Sequence, residues 1–240
     1  MMPLPFPDPA LEARFPHRHD RAYAYLKALL LDGGLDPNDV VSTEAIARAL
    51  NVSRAPVTDA TKRIARDGFF RIVPQVGCIV SAPQPAEVAD FYRLFAKAEG
   101  VITALAAERC TPPQADALRR TAAGVDAEFD KLRGERYRGP ELRILNRRRY
   151  RAIHEIAGSS IAGDLVANMW DRSDYYIRLA YGAFVYSAAI QDAHRAICDA
   201  IAGRDAAAAA TRTENYLNAV GQEISAMLRH AGGQPAADVR

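Results

Sequence analysis

The sequence lacks any apolar run of about 18 residues, the length that a membrane-spanning helix requires. Its N-terminus also lacks the basic-then-apolar pattern of a signal peptide and is instead rich in proline. Only three cysteines are present, Cys78, Cys110 and Cys198, and they show no C-x-x-C spacing. These absences exclude a membrane-spanning helix and a disulfide-rich secreted domain, and they indicate a reduced, cytoplasmic protein.

Enzyme motifs are missing as well. The sequence contains no G-x-G-x-x-G, no P-loop, no H-E-x-x-H and no G-x-S-x-G. His154-Glu155 begins a zinc-protease motif but has no second histidine. We therefore expect that the protein is not an enzyme; an enzyme built on the helical part of the chain stays as an alternative.

The sequence also lacks a strong net charge of either sign. The net charge is +2, and residues 1–82 hold 10 Lys and Arg against 9 Asp and Glu. Many strong DNA-binding domains are far more basic. A DNA-binding surface here would have to gather its charge on one face, through Arg54, Lys62, Arg63, Arg66 and Arg71.

What is present is a helix-turn-helix pattern that begins at Ser42, a plausible N-cap. Asn51 suits the turn, since Asn tolerates the left-handed backbone conformation, and Ser53 is placed to cap the second helix. In that helix, apolar residues recur at i, i+3, i+4 and i+7 from Val57 to Ile64, and Gly68 ends it.

After Gly68 the apolar period changes from helical to extended. The runs 69–73 and 78–80 are rich in β-formers and are joined by Pro74-Gln75-Val76-Gly77, which predicts a two-stranded hairpin. Helix, turn, helix and hairpin in this order predict a winged helix-turn-helix. Its second helix fits a DNA major groove, and the hairpin can reach the backbone or the minor groove.

The rest of the chain predicts a mainly α protein. Residues 1–17 are assigned to a flexible tail, 18–82 to the winged helix-turn-helix domain and 83–235 to a helical domain, with the linker at Ala82-Pro83-Gln84-Pro85. Proline and glycine breaks delimit the later helices. The predicted spans are 86–110, 113–133, 139–157, 160–181, 187–203 and 205–230. They predict a six- or seven-helix antiparallel bundle, a fold that often holds a ligand in its core.

A family resemblance rests on several of these segments. The motifs V-S-R-A-P-V at 52–57 and R-D-G-F at 66–69, with Gly77 in the wing, resemble the DNA-binding domain of the GntR family of bacterial transcriptional regulators. The segments A-K-A-E-G-V-I-T-A-L-A-A-E at 96–108 and H-R-A-I-C-D-A-I-A-G-R-D at 194–205 resemble the helical effector domain of its FadR-type branch. Together the two resemblances span nearly the whole chain.

The resemblance implies a set of DNA-contacting residues. They are Thr43, Glu44, Ser53, Arg54, Thr58, Lys62, Gln75 and Gly77. Arg54 is the one base-reading arginine kept from the family pattern, since Thr58 and Glu44 stand where relatives usually carry arginine. Either the operator differs from the usual one, or binding is weak and depends on Arg54 and the wing.

The resemblance also places a divalent-metal site in the bundle, held by Asp or Asn and three histidines. Here the matching residues are Asn146, Tyr150, His194 and Tyr216. A neutral tyrosine is a poor ligand for Zn, Ni or Mn, so no metal or other cofactor is expected. A metal held by Asn146 and His194, with help from His154, is the disfavoured alternative.

The same positions predict a pocket for a small polar ligand in the bundle core. The candidate ligand-binding residues are Asn146, Arg149, Tyr150, Arg178, His194 and Tyr216. Arg149 stands where relatives carry Phe and would neutralise an acidic ligand, with Arg178 as a weaker candidate for that role. The other interpretation is that these are satisfied polar residues of the core.

The sequence therefore predicts a ligand-responsive transcriptional regulator, acting as a repressor. Its expected partners are a double-stranded DNA operator, a small-molecule effector such as an organic acid, and a second copy of the chain; no membrane partner is expected. The alternative to ligand sensing is a regulator whose helical domain only dimerises.

Overall fold

The computed structural model describes residue 7, residues 10–132 and residues 140–232. The chain divides into two compact units, Met1–Pro83 and Gln84–Arg240. The helices are α1 Ala10–Arg14, α2 Arg18–Asp32, α3 Thr43–Ala49, α4 Arg54–Arg66, α5 Pro85–Arg109, α6 Pro112–Leu132, α7 Pro140–Ala157, α8 Ser160–Tyr181, α9 Ala188–Ala202 and α10 Ala206–Gly232. The strands are β1 Val40–Val41, β2 Phe70–Val73 and β3 Gly77–Val80.

The first unit is built on α2 and α4, which pack against each other. The apolar face of α4 lies in the core, with Val57 and Ile64 fully buried. Ser42 caps α3, because its Oγ accepts a hydrogen bond from the Ala45 N–H at 3.1 Å. Asn51 has φ 51° in the turn, as predicted. Ser53 is the N-cap residue of α4 by position, but its side chain makes no capping hydrogen bond.

The wing has three strands instead of the predicted two. β2 and β3 form the expected antiparallel hairpin, with Phe70 opposite Val80 and Val73 opposite Gly77. β1 pairs with the other edge of β3, placing Val40 opposite Ile79 and giving the order β1-β3-β2. The additional strand ties the segment before the helix-turn-helix to the wing.

The predicted flexible tail, residues 1–17, contains a helix, α1. Arg21, on α2, forms an ion pair with Glu12, on α1. The many prolines of residues 1–17 favoured a flexible tail. The residues of Ala10–Arg14 include no proline, however, and can form a helix.

The second unit contains six helices among its described residues, at nearly the predicted bounds. α5 begins with a capping box, in which the Gln84 N–H donates to Glu87 Oε2 at 3.0 Å. The most extensive helix contact joins α5 to α10. The predicted fold class, mainly α with an N-terminal winged helix-turn-helix and a C-terminal helical bundle, is confirmed. None of the helices in the described ranges is long and apolar enough to cross a membrane.

The contact between α5 and α10 depends on a glycine. A Cβ atom added at Gly221 would lie 2.4 Å from Cβ of Tyr92, a distance that real Cβ atoms essentially never show. Tyr92 is fully buried, and its hydroxyl lies 2.8 Å from Ser173 Oγ, so its ring is held on both sides. Gly221 therefore lets the two helix backbones approach closely.

We expect Gly221→Ala to lower the free energy of unfolding by about 1–3 kcal/mol, because the methyl group would force Tyr92 or the helices apart. The matched control is Gly163→Ala on α8, where an added Cβ meets nothing within 4 Å. That substitution should raise stability by about 0.5–1 kcal/mol through helix propensity. Urea denaturation of the full chain measures both, and equal stabilisation by the two variants would contradict the close-packing account.

Candidate functional site

Two groups of predicted residues lie in separate units. The first is the exposed surface of α3, α4 and the wing, and the second is a set of buried and half-buried polar side chains among α6, α7, α9 and α10. Each is described by itself.

On the first surface, Arg54 is exposed but paired. Its Nη2 lies 2.9 Å from Glu44 Oε2 on α3, and the same carboxylate lies 3.7 Å from Arg48. Such surface pairs contribute about 0–1 kcal/mol. Glu44 therefore offsets part of the positive charge that Arg54 presents to solvent.

The other predicted residues of α3 and α4 are placed along the same surface. The Thr58 hydroxyl donates to the backbone oxygen of Arg54 at 3.0 Å and keeps its lone pairs for another donor. Lys62 is exposed and lies 4.0 Å from Asp59. Thr43, half-buried, is the first residue of α3, and Ser53 is exposed directly before α4.

Arg63, one of the arginines expected on the basic surface, is half-exposed and contacts α2. Its guanidinium stacks on the Tyr23 ring at 3.9 Å and bonds Asp20 at 3.3 Å, both on α2. The Tyr23 hydroxyl in turn donates to Asp67 at 2.6 Å. Arg63 therefore fastens α4 to α2.

The tip of the wing carries the last two predicted residues. Gln75 and Gly77 are both exposed and have positive φ, 65° and 108°. An added Cβ at Gly77 would meet nothing within 4 Å, so the conformation and not crowding favours glycine there.

In the second unit the structure brings most of the predicted ligand residues together. Asn146, Arg149 and Tyr150 lie on successive turns of α7 and are buried. The ring centroid of His194, on α9, lies 5.4 Å from that of Tyr150 and 4.7 Å from that of Tyr216, on α10. We call these five residues, with Asp126 and Tyr186, the core polar cluster.

Asp126 and Tyr186 were missed by sequence analysis, and both bind Arg149. The Arg149 guanidinium, only 1% exposed, donates to an Asp126 carboxylate oxygen from α6. It also donates to the Tyr186 hydroxyl at 2.8 Å and to His194 Nδ1 at 2.7 Å. Arg195 adds a second guanidinium, 2.7 Å from the other Asp126 oxygen. Asp126 thus pairs with the buried Arg149 and with the half-exposed Arg195, which also pairs with Asp192 at 3.2 Å.

Arg178, the sixth predicted ligand residue, is placed differently. It is buried on α8, and its guanidinium lies 5.4 Å from the centroid of the Tyr175 ring.

The protonation states in the cluster follow from its contacts. A guanidinium can only donate, so His194 Nδ1 accepts from Arg149 and the proton of the neutral imidazole is on Nε2. Burial, and next the charge of Arg149, hold the pKa of His194 well below its ordinary value. Burial raises the pKa of the Tyr150 hydroxyl well above its ordinary value, so the phenol stays protonated.

Several polar atoms of the cluster are buried without a partner in the described part of the chain. They are Asn146 Oδ1, Arg149 Nε, Tyr150 Oη and His194 Nε2. Buried polar groups are normally hydrogen-bonded, and each unsatisfied one costs about 1–3 kcal/mol. In the sequence, this cluster was indicated by Asn146, Tyr150, His194 and Tyr216, which stand at the positions of the family's metal ligands.

These residues do not fit the divalent metal that the FadR-type resemblance implies. Two of the four positions are protonated phenols, and the imidazole Nδ1 already accepts from a guanidinium that carries a permanent positive charge. A second cation beside Arg149 would be repelled in a buried setting. No group of three or more His, Cys, Asp or Glu side chains within the described ranges is arranged to hold a metal ion.

His154, the residue considered as a substitute ligand, has another partner. Its Nε2 lies 2.7 Å from Oε1 of Glu99, a fully buried carboxylate that also accepts from the Trp170 indole at 3.1 Å. Arg147 is 22% exposed and pairs with Asp171 at 2.7 Å and Asp174 at 2.9 Å. Both contacts fasten α7 to its neighbours.

A winged helix-turn-helix followed by a helical domain with a polar core is the architecture of a two-domain, DNA-binding transcriptional regulator. The profile described as "Bacterial regulatory proteins, gntR family" matches residues 18–80, and that of the FCD domain matches residues 90–219. The chain belongs to the GntR family, in its FadR-type branch with a C-terminal FCD domain. The family named from the sequence is confirmed.

Individual relatives agree with this assignment. A Streptomyces ambofaciens protein, described as an uncharacterized HTH-type transcriptional regulator in an unstable DNA locus, is 28% identical over 213 residues, which cover 87% of this chain and 86% of the relative. The fold is similar to that of E. coli McbR/YncC, with a TM-score of 0.70 at 20% identity over 90% of this chain and 99% of that one. A putative GntR regulator from Rhodococcus sp. RHA1 gives 0.65 at 18% identity, over 91% and 99% of the two chains.

We expect His194 to make the protein less stable in mild acid. In the unfolded chain His194 binds a proton near its ordinary pKa of 6.5, whereas in the folded protein its pKa lies well below that value. The unfolded state therefore binds more protons as the pH falls below 6.5, and stability is lost there. Between about pH 7.5 and about pH 5.5 the loss of stability due to His194 should be on the order of 1 kcal/mol.

The measurement is urea denaturation at both pH values for the wild type and for His194→Gln, which should lack this part of the pH dependence. His230→Gln is the control, since His230 is exposed on α10. A wild type and a His194→Gln variant with the same pH dependence would contradict burial of a neutral His194.

Proposed function

We propose that this GntR-family regulator is a ligand-responsive repressor: a homodimer that binds a pseudo-palindromic operator and releases it when a small organic acid enters the core polar cluster. The observation that supports the ligand most is the group of buried, unpartnered polar atoms next to Arg149. Action on bacterial DNA, and hence a cytoplasmic location, belongs to the same proposal.

The chemistry of those atoms favours an anion. His194 Nε2–H, Arg149 Nε–H and the Tyr150 hydroxyl are donors, and each is buried without a partner in the part of the chain that the structure describes. Arg149 supplies a buried positive charge beside these donors, and its partner Asp126 carries one negative charge. A carboxylate would accept from these donors through charge-assisted hydrogen bonds. Asn146 Oδ1 is an acceptor and would suit a hydroxyl of the same ligand.

For DNA binding we propose that Arg54 reads a base edge, while Lys62, Thr58, Ser53 and the wing tip position the phosphate backbone. Arg54 is exposed, lies at the start of α4 and needs only to exchange Glu44 for a base. A guanine offers two acceptors in the major groove that match the guanidinium. Thr43 and Glu44, at the start of α3, would lie at the edge of the same contact.

We expect Arg54→Ala to cost about 1–3 kcal/mol of binding free energy at the cognate operator, because a bidentate base contact is lost. Lys62→Ala should weaken binding to all duplexes about equally and reduce the salt dependence. Glu44→Gln should strengthen binding by about two- to fivefold, since Arg54 no longer has a competing carboxylate. Electrophoretic mobility shifts at two salt concentrations measure all three variants.

Wild-type operator affinity in Arg54→Ala would contradict the reading role of that residue. If Glu44→Gln bound more weakly than the wild type, Glu44 itself would contact the DNA or order its neighbours there.

We expect Tyr150→Phe and His194→Ala to separate ligand response from DNA binding. Each should abolish the effect of an inducing acid on operator affinity but leave ligand-free operator binding within about tenfold of the wild type. The measurement is operator affinity with and without each member of a panel of small mono- and dicarboxylates. A full response in both variants would place the ligand elsewhere. No response to any acid in the wild type would favour a helical domain that only dimerises.

A further inference from the structure

A cleft of about 470 Å³ opens beside the core polar cluster. It is bounded by the end of α8, residues 184–187, α9 and α10, and we call it the α8–α10 cleft. Its walls are mostly apolar, formed in part by Ile177, Phe184, Ile190 and Val220. The volume is in the range of small-molecule sites, which lies at roughly 300–1,000 Å³.

Two phenols belong both to this cleft and to the cluster. Tyr186 lines the cleft, and its hydroxyl lies 2.8 Å from Arg149 Nη1 and 3.1 Å from His194 Nδ1. Tyr216 also lines the cleft, and its ring packs against that of His194 with 4.7 Å between centroids. Tyr186 therefore links the cleft directly to the buried cation, and Tyr216 links it to His194.

Of the two phenols, Tyr186 lies in a connecting segment, whereas Tyr216 lies on α10. Tyr186 lies between Gly182, where α8 ends with φ 73°, and Ser187, the N-cap of α9, so no helix holds its backbone. Its ring stacks on Phe129, which fixes the ring plane while the hydroxyl reaches Arg149. A carboxylate is a stronger acceptor from a guanidinium than a phenol is, because the hydrogen bond joins two charged groups.

We propose that the α8–α10 cleft binds the apolar part of an amphipathic monocarboxylate, whose carboxylate displaces the Tyr186 hydroxyl from Arg149. This inference rests on the proposed sensing of an organic acid and adds where the acid enters and what class it is. The apolar walls accept a short alkyl or aryl group and desolvate it.

The same walls disfavour a second carboxylate. A dicarboxylate in the cleft would have to remove one charged group from water against Phe184 and Ile190 without a partner, which is costly. Glu223 also lines the cleft. Its carboxylate already accepts a hydrogen bond from the Tyr181 hydroxyl and would repel another anion. The cleft therefore favours ligands that carry a single carboxylate and one apolar group.

Hexanoate and adipate are matched probes, since they share six carbons and differ by one carboxylate, and acetate tests the apolar group. With the full chain, hexanoate should raise Tm by about 3 °C or more at ten times its Kd. Adipate and acetate should bind at least about tenfold more weakly, as a buried unpaired charge or a lost apolar contact implies.

Two variants test the cleft itself. Ala219→Trp places an indole in the cleft from an exposed position on α10 and should abolish the hexanoate shift, whereas Ala207→Trp, exposed on the same helix outside the cleft, should not. Tyr186→Phe keeps the aromatic ring on Phe129 but removes the competing hydroxyl, so hexanoate should bind about tenfold more tightly.

Adipate that binds as well as hexanoate, or a hexanoate shift that survives Ala219→Trp, would overturn the cleft assignment. Binding of adipate or acetate that is abolished by Tyr150→Phe but unaffected by Ala219→Trp is a further outcome. It would mean that the core polar cluster senses an acid but that the cleft is not its site. No shift with any of the three acids would overturn the cleft assignment, whereas acid sensing as such is tested by the wider panel of carboxylates. Weaker binding in Tyr186→Phe would contradict displacement of its hydroxyl.

Discussion

The helical domain depends on the guanidinium of Arg149, a permanent positive charge on a residue that is only 1% exposed. Removing one partner of such a buried pair costs roughly 3–5 kcal/mol, because the remaining charge is left uncompensated. Arg149 on α7 therefore requires Asp126 on α6, and it also holds Tyr186 and His194. One side chain thus fixes the relative positions of three helices and of the segment after α8. It also sets the tautomer of His194 and leaves the cluster unsuited to a divalent cation.

Much of the fold could be predicted because its signals are local. Proline and glycine breaks placed the ends of α5 to α10 within a few residues, and Ser42 and Asn51 marked the helix-turn-helix by capping and turn chemistry. β1 was missed because two valines carry no strand signal of their own, and its pairing with β3 joins residues far apart in sequence. α1 was missed because the surrounding prolines dominate the composition of the tail.

The candidate site was predictable to a lesser extent. The family register identified Asn146, Tyr150, His194 and Tyr216, and the structure joins the last three through ring contacts. Asp126 and Tyr186 gave no signal, since an acidic residue on an amphipathic helix and a tyrosine in a connecting segment are common. Their importance arises only when folding places them against Arg149. The same holds for Arg147 and His154, whose partners Asp174 and Glu99 lie on other helices.

The close approach at Gly221 has a mechanical consequence. Because no methyl group separates the α10 backbone from Tyr92, the two helices have no clearance in which to slide past each other there. α10 also carries Tyr216, five residues earlier, and α5 begins at Pro85, seven residues before Tyr92. Any axial displacement of α10 relative to α5 would therefore require Tyr92 or one of the two backbones to move. A residue with no side chain thus sets the separation of the two longest helices that the structure describes in the second unit.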